Sequence, residues 1–137
     1  MKTETIPGKT PIIAGVGNYQ GPGPEIMAAD TLEGDRVVNI EGEDLGRIRN
    51  IMIDVANGRV AYAVLAVGGV LGIGDRLFAV PWGSLALNAI DKCFVLDFDK
   101  EHLKNAPGFD KDHWPSMADP RFANSIYEYY DTPPYWN

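Results

Sequence analysis

The chain has 137 residues, room for one ordinary domain, and its 45% hydrophobic and 23% charged residues exclude a wholly disordered polypeptide. Twelve Lys and Arg against 19 Asp and Glu leave a net charge of −7, which argues against non-specific nucleic-acid binding, where cations must neutralise phosphates. The one cysteine, Cys93, rules out an internal disulfide and a cysteine-rich metal site.

Residues 1–27 read as an extended arm, because 1–24 hold five Gly and four Pro and almost no periodicity. The opening Met1-Lys2-Thr3-Glu4 carries an acid where a secretory signal carries only base. The longest uncharged apolar run, Val60 to Gly74, is interrupted by four glycines and falls short of the roughly 20 residues that cross a bilayer. A cytoplasmic protein without membrane insertion is the expectation.

Residues 28–100 read as short strands, with no proline between Glu25 and Val80, as hydrogen-bonded central strands require. Val37 to Ile40 is one strand, followed by the acidic turn Glu41-Gly42-Glu43-Asp44. The next runs from Gly46 to Val55, with Ile51, Ile53 and Val55 on one face, and its alternation changes phase near Arg49-Asn50, which predicts a bulge. Asn57-Gly58 then reads as a tight hairpin turn with two positive φ angles.

The returning strand Val60–Val67 has no polar residue on either face, so its outer side needs cover from the arm, the tail or a second subunit. Leu77–Val80 and Cys93–Leu96 read as further strands, with a corner at Pro81–Leu87 and a turn at Asn88–Lys92. Five or six such strands favour a mainly β fold, a small antiparallel barrel. In the tail, residues 101–137, helices are few and short. Asp99 opens one that reaches Asn105, and Asp119-Pro120 opens another that reaches about Tyr130.

Asp44-Leu45-Gly46-Arg47-Ile48, Asp54 with Asn57-Gly58-Arg59, and Tyr62–Leu65 together resemble the PRC-barrel domain family. The linked run Gly68-Gly69-Val70-Leu71-Gly72-Ile73-Gly74, leading into Ala79-Val80-Pro81-Trp82, strengthens the resemblance, which covers roughly 28–100. The family includes the cytoplasmic half of the photosynthetic reaction-centre H subunit, the C-terminal domain of a ribosome-maturation factor, and small stand-alone bacterial proteins. The resemblance implies a small β-barrel for protein–protein contact and assembly, without shared catalytic apparatus. The chain has no transmembrane helix of the H-subunit kind and none of the ribosome factor's basic character, so neither specific function carries over.

Candidate chemistry is sparse. The glycine run 68–74 lacks the spacing of a nucleotide cradle and precedes a strand, which favours a strand connection. His113 with Asp110 and Asp112 lacks zinc or calcium ligand spacing, and Glu43-Asp44 belongs to a turn. Ser84 has no nucleophile-elbow motif, and Cys93 lies in an apolar strand. No catalytic, cofactor or metal residue is expected.

Eight of the 14 aromatics lie in 109–137. From residue 97 onwards four Lys and Arg face eight Asp and Glu, which is the wrong balance for stacking on nucleic-acid bases. The tail either packs on its own barrel or clasps another subunit. The core or interface candidates are Tyr62, Val64, Leu65, Trp82, Trp114, Phe122, Tyr127, Tyr130 and Trp136. A non-enzymatic, self-associating assembly module is the leading expectation. The alternative is an adaptor that docks a larger membrane-associated or ribosomal complex through a heterologous protein partner; a small-ligand carrier or enzyme, which needs a polar-lined pocket or a bound metal, ranks third.

Overall fold

A computed structural model describes residues 8–15, 25–67 and 76–136. The glycine run 68–74 and most of the arm lie outside the described residues. Among these described residues eight strands form one sheet: β1 (Ile12–Ala14), β2 (Arg36–Val38), β3 (Asp44–Asp54), β4 (Arg59–Ala66), β5 (Arg76–Pro81), β6 (Leu85–Asn88), β7 (Cys93–Leu96) and β8 (Phe109–Asp110). Three helices accompany them: α1 (Ala29–Leu32), α2 (Lys100–Lys104) and α3 (Pro120–Tyr129).

The spatial order is β1-β6-β7-β2-β3-β4-β5-β8, so the sheet begins on β1 and ends on β8 without joining them. The expected closed barrel is therefore corrected to an open sheet. It is not purely antiparallel either, since β1 runs parallel to β6 and β2 parallel to β7. Closure requires the first and last strands to pair. Here those strands are three residues of the arm, read from the sequence as having almost no periodicity, and two of the tail, read as short-helical.

Side chains from β2 to β7 still meet in one hydrophobic cluster, which includes Val37, Ile48, Leu65, Phe78, Leu85 and Phe94, all essentially inaccessible to water. Leu85 and Leu87 of β6 belong to that core, where the sequence suggests only a corner. A short 3-10 turn at Trp82–Ser84 makes the corner, and the Thr10 hydroxyl donates to the Trp82 carbonyl to hold the arm there.

Two register changes shape the long β3–β4 hairpin. Between the pairs Ile48↔Leu65 and Asn50↔Val64, β3 carries the extra residue Arg49; between Met52↔Tyr62 and Ile53↔Val60, β4 carries the extra residue Ala61. The first falls where the sequence alternation changes phase. The hairpin turn spans four residues, Val55–Gly58, and only Gly58 has positive φ, so Asn57-Gly58 is not the two-residue turn that the sequence suggests. Asn57 instead donates from its backbone and its side chain to the Asp54 carboxylate.

Candidate interaction surface

α3 is built to lie on a sheet. Asp119 accepts a hydrogen bond from the Arg121 N–H, Pro120 occupies the first turn, and Phe122, Ile126 and Tyr130 recur at four-residue spacing. At its end Asp131 takes φ +50, the Thr132 N–H donates to the Tyr127 carbonyl, and the Asp131 N–H donates to the Glu128 carbonyl. This left-handed cap satisfies the last carbonyls and turns the chain back. Pro133 to Trp136 then run as a strap towards the β3–β4 hairpin.

The seam between α3 and β4 is aromatic. The Tyr62 ring meets Phe122 and Tyr127 edge-on, both at 5.8 Å. The extra residue Ala61 leaves a carbonyl out of the ladder, and the Tyr127 hydroxyl donates to it at 2.8 Å. At the hairpin end the Tyr135 hydroxyl donates to the Asp54 carboxylate, while the Arg59 guanidinium covers the Tyr135 ring and donates to the Tyr135 carbonyl. Trp136 packs edge-on against Tyr127 at 4.8 Å. A second seam joins the two helices: the His102 ring stacks on Tyr129, Phe98 stacks on Tyr130, and the Tyr129 hydroxyl donates to the His102 carbonyl.

The electrostatics follow from this packing. The hydrogen bond from Tyr135, with those from Asn57, holds the Asp54 carboxyl below its ordinary range. Burial pushes the Tyr62 phenol up to about 12. Burial and the hydrogen bond to Asp54 push Tyr135 to about 12 as well. Burial also raises Tyr127 and Tyr130. A phenol raised in the folded state contributes stability that is complete below its unfolded value near 10 and is lost as pH rises towards about 12. Urea unfolding at about pH 8 and about pH 11 should therefore show a lower midpoint at the alkaline value. Equal midpoints would mean that the phenols are solvated.

Tyr127 and Tyr130 should respond oppositely to loss of their hydroxyls. Tyr127→Phe removes the donor to Ala61 and should destabilise by about 1–2 kcal/mol. The Tyr130 hydroxyl is buried with no hydrogen-bond partner among the described residues, so Tyr130→Phe should be neutral or stabilising by up to about 1 kcal/mol. Thermal unfolding of the two variants checks the contrast, and equal losses would contradict it.

The candidates from the sequence occupy distinct environments. Tyr62, Val64, Leu65, Tyr127 and Tyr130 are buried. Trp82 is half-buried against Phe94, and Phe122 is half-buried on Tyr62. Trp136 remains 41% exposed at the strap. Trp114 is 38% exposed and lies apart from the seam, against Phe109, with its indole N–H donating to the Lys111 carbonyl. Sequence reasoning named Asp54 and Arg59 only within the family resemblance and missed them as polar partners of the tail. It also placed Ile53 and Val55 on one face with Ile51 without showing that both are exposed at the hairpin end.

The profile of the PRC-barrel domain matches residues 24–103, more than half of the chain. The chain belongs to the PRC-barrel family. No curated protein sequence matches it. Among solved structures, it is similar to RimM from Pseudomonas aeruginosa, assigned to 16S ribosomal RNA processing. The identity is 19% and the TM-score 0.42, covering 55% of this chain and 45% of that one. This chain thus spans less than half the length of that protein.

PRC-barrel domains are non-catalytic modules of protein assembly. α3 and the strap lie beyond the matched residues, so the PRC-barrel part of this chain is covered by a segment outside the family profile. Among the described residues, no group of three or more His, Cys, Asp and Glu is arranged to hold a metal ion. The Cys93 thiol is buried, and burial raises its pKa, the opposite of what an activated nucleophile needs. In an open groove of about 430 Å³ along α3, lined by Tyr127, Glu128, Asp131 and Thr132 among others, the two hydroxyls of Tyr127 and Thr132 donate to backbone carbonyls and not to a carboxylate. Among the described residues, no helix is long and apolar enough to cross a membrane.

Proposed function

We infer that the chain is a non-enzymatic adaptor, a PRC-barrel module that docks onto a larger assembly through a heterologous protein partner. One observation carries the choice over self-association. The two apolar faces of β4, which on sequence grounds need cover from the arm, the tail or a second subunit, are buried within a single chain, with Tyr62 under Phe122 and Tyr127. With the aromatic tail engaged on its own sheet, a second copy is no longer needed to keep β4 dry. The cytoplasm is part of this reading, since a single buried thiol is at home in a reducing compartment.

Sedimentation of the full-length protein at micromolar concentration should give a monomer of 15.0 kDa. Affinity capture should then recover a heterologous protein at constant stoichiometry. A stable dimer or larger species of the isolated chain, with no stoichiometric partner, would favour self-assembly instead.

A further inference from the structure

The outer side of the β2–β3 pair carries charge in an arrangement that the fold itself does not explain. Arg36 and Arg47 are register partners on adjacent antiparallel strands, so two like charges stand directly opposite each other. Arg49, on the same strand as Arg47, is the extra residue at the bulge, a position that re-aims a side chain away from the ladder. All three are exposed, while Ile48 between two of them is buried.

Among the described residues, ion pairs join Lys100 to Glu43, His113 to Asp110 and Arg121 to Asp119, and none includes these arginines. Of the acids nearest in sequence, the Asp44 carboxylate accepts from the Gly46 N–H, and neither Glu33 nor Asp35 forms an ion pair with these arginines. Arg47 donates one hydrogen bond to the Gly34 carbonyl, which leaves most of its guanidinium donors free. A chain with a net charge of −7 therefore gathers three of its 12 cations on one exposed strip, where among the described residues none is ion-paired to an acid.

We propose that Arg36, Arg47 and Arg49 form the docking strip for an acidic segment of the partner protein. The proposal rests on the adaptor reading and specifies the partner's chemistry. Planar guanidinium groups pair bidentately with carboxylates, and an occupying acidic segment relieves the Arg36–Arg47 repulsion that the free protein bears. A long nucleic acid fits less well. Three contacts release few counterions, and the remaining surface of an acidic chain repels an extended polyanion.

The test titrates isotope-labelled full-length protein with an unstructured glutamate-rich peptide and follows backbone and arginine side-chain resonances. Parallel titrations use mixed-sequence single-stranded RNA and phosphatidylserine vesicles. The peptide should shift resonances of β2 and the first half of β3, and added salt should weaken its binding. The variant R36Q/R47Q/R49Q should bind about tenfold or more weakly, whereas R121Q should bind as the wild type does. R36Q/R49Q, which keeps the Arg47 bond to Gly34, should show part of the loss and covers the case in which the triple variant unfolds.

Peptide binding unaffected in either variant, shifts located elsewhere, or binding of RNA or vesicles but not peptide would overturn the proposal. A captured partner that survives R36Q/R49Q would overturn the strip while leaving the adaptor reading intact. A self-associating protein that still binds the peptide through the strip would do the reverse.

Discussion

Gly46→Ala should lower the unfolding free energy by about 2–4 kcal/mol, combining backbone strain with a forced contact. Gly46 lies in β3 with φ +143, a conformation that side chains rarely adopt, and a Cβ there would stand 2.6 Å from the Ala66 carbonyl oxygen of β4. Neither term can relax cheaply, because the obstructing atom is backbone in the pair with the most extensive ladder in the sheet. The substitution also tests why the stretch Asp44-Leu45-Gly46-Arg47-Ile48 takes the form it does. The Gly46 N–H is held by the Asp44 carboxylate, and Leu45 and Ile48 on either side are buried. Urea unfolding reads the change directly. A loss below about 0.5 kcal/mol would mean that β3 and β4 do not approach as closely as described.

Ile126→Ala should destabilise by about 2–5 kcal/mol, the usual range for emptying a fully buried branched side chain. Ile126 is wholly buried on α3, and its neighbour Tyr127 is hydrogen-bonded to β4. The expected loss is therefore that of a core residue, although Ile126 lies outside the stretch matched by the family profile. Trp114→Ala provides the contrast. Trp114 is partly exposed and packs chiefly on Phe109, so its truncation should cost distinctly less despite the larger side chain. If Ile126→Ala were as mild as Trp114→Ala, α3 would not be part of the core.

Local structure was legible wherever residue chemistry acts over a few positions. Asp99 and Asp119 both cap helices as their sequence contexts suggest, and Cys93–Leu96 is a strand with those bounds. The phase change near Arg49 likewise marks a real bulge. Three features depend on long-range partners and were not legible. β6 has a good apolar alternation in Leu85 and Leu87, but Pro81-Trp82-Gly83 beside it suggests a corner, and only pairing with β7 shows that the strand continues. β1 and β8 are strands only because β6 and β5 supply their ladders, and the open edges beyond them are what corrects the barrel.

The candidate surface was legible in composition but not in arrangement. The aromatic tail is obvious from its residues, yet nothing in the sequence chooses between its own sheet and a neighbour. The choice rests on Ala61, whose displaced carbonyl accepts from Tyr127, and on Asp54, which accepts from Tyr135 across 81 positions of sequence. Both acceptors follow from hairpin geometry. The hairpin also leaves Ile53 and Val55 56% and 88% exposed, which their shared face alone does not indicate.

The central claim is that the aromatic tail covers the sheet of its own chain and leaves the remaining surface for a partner. An isotope-filtered NOE experiment on a mixture of labelled and unlabelled full-length protein tests it most directly. Contacts of Tyr62 with Phe122 and Tyr127 should appear in the uniformly labelled sample and vanish from the intermolecular spectrum of the mixture. Strong intermolecular contacts between those rings would place the tail on a neighbouring subunit and contradict the account.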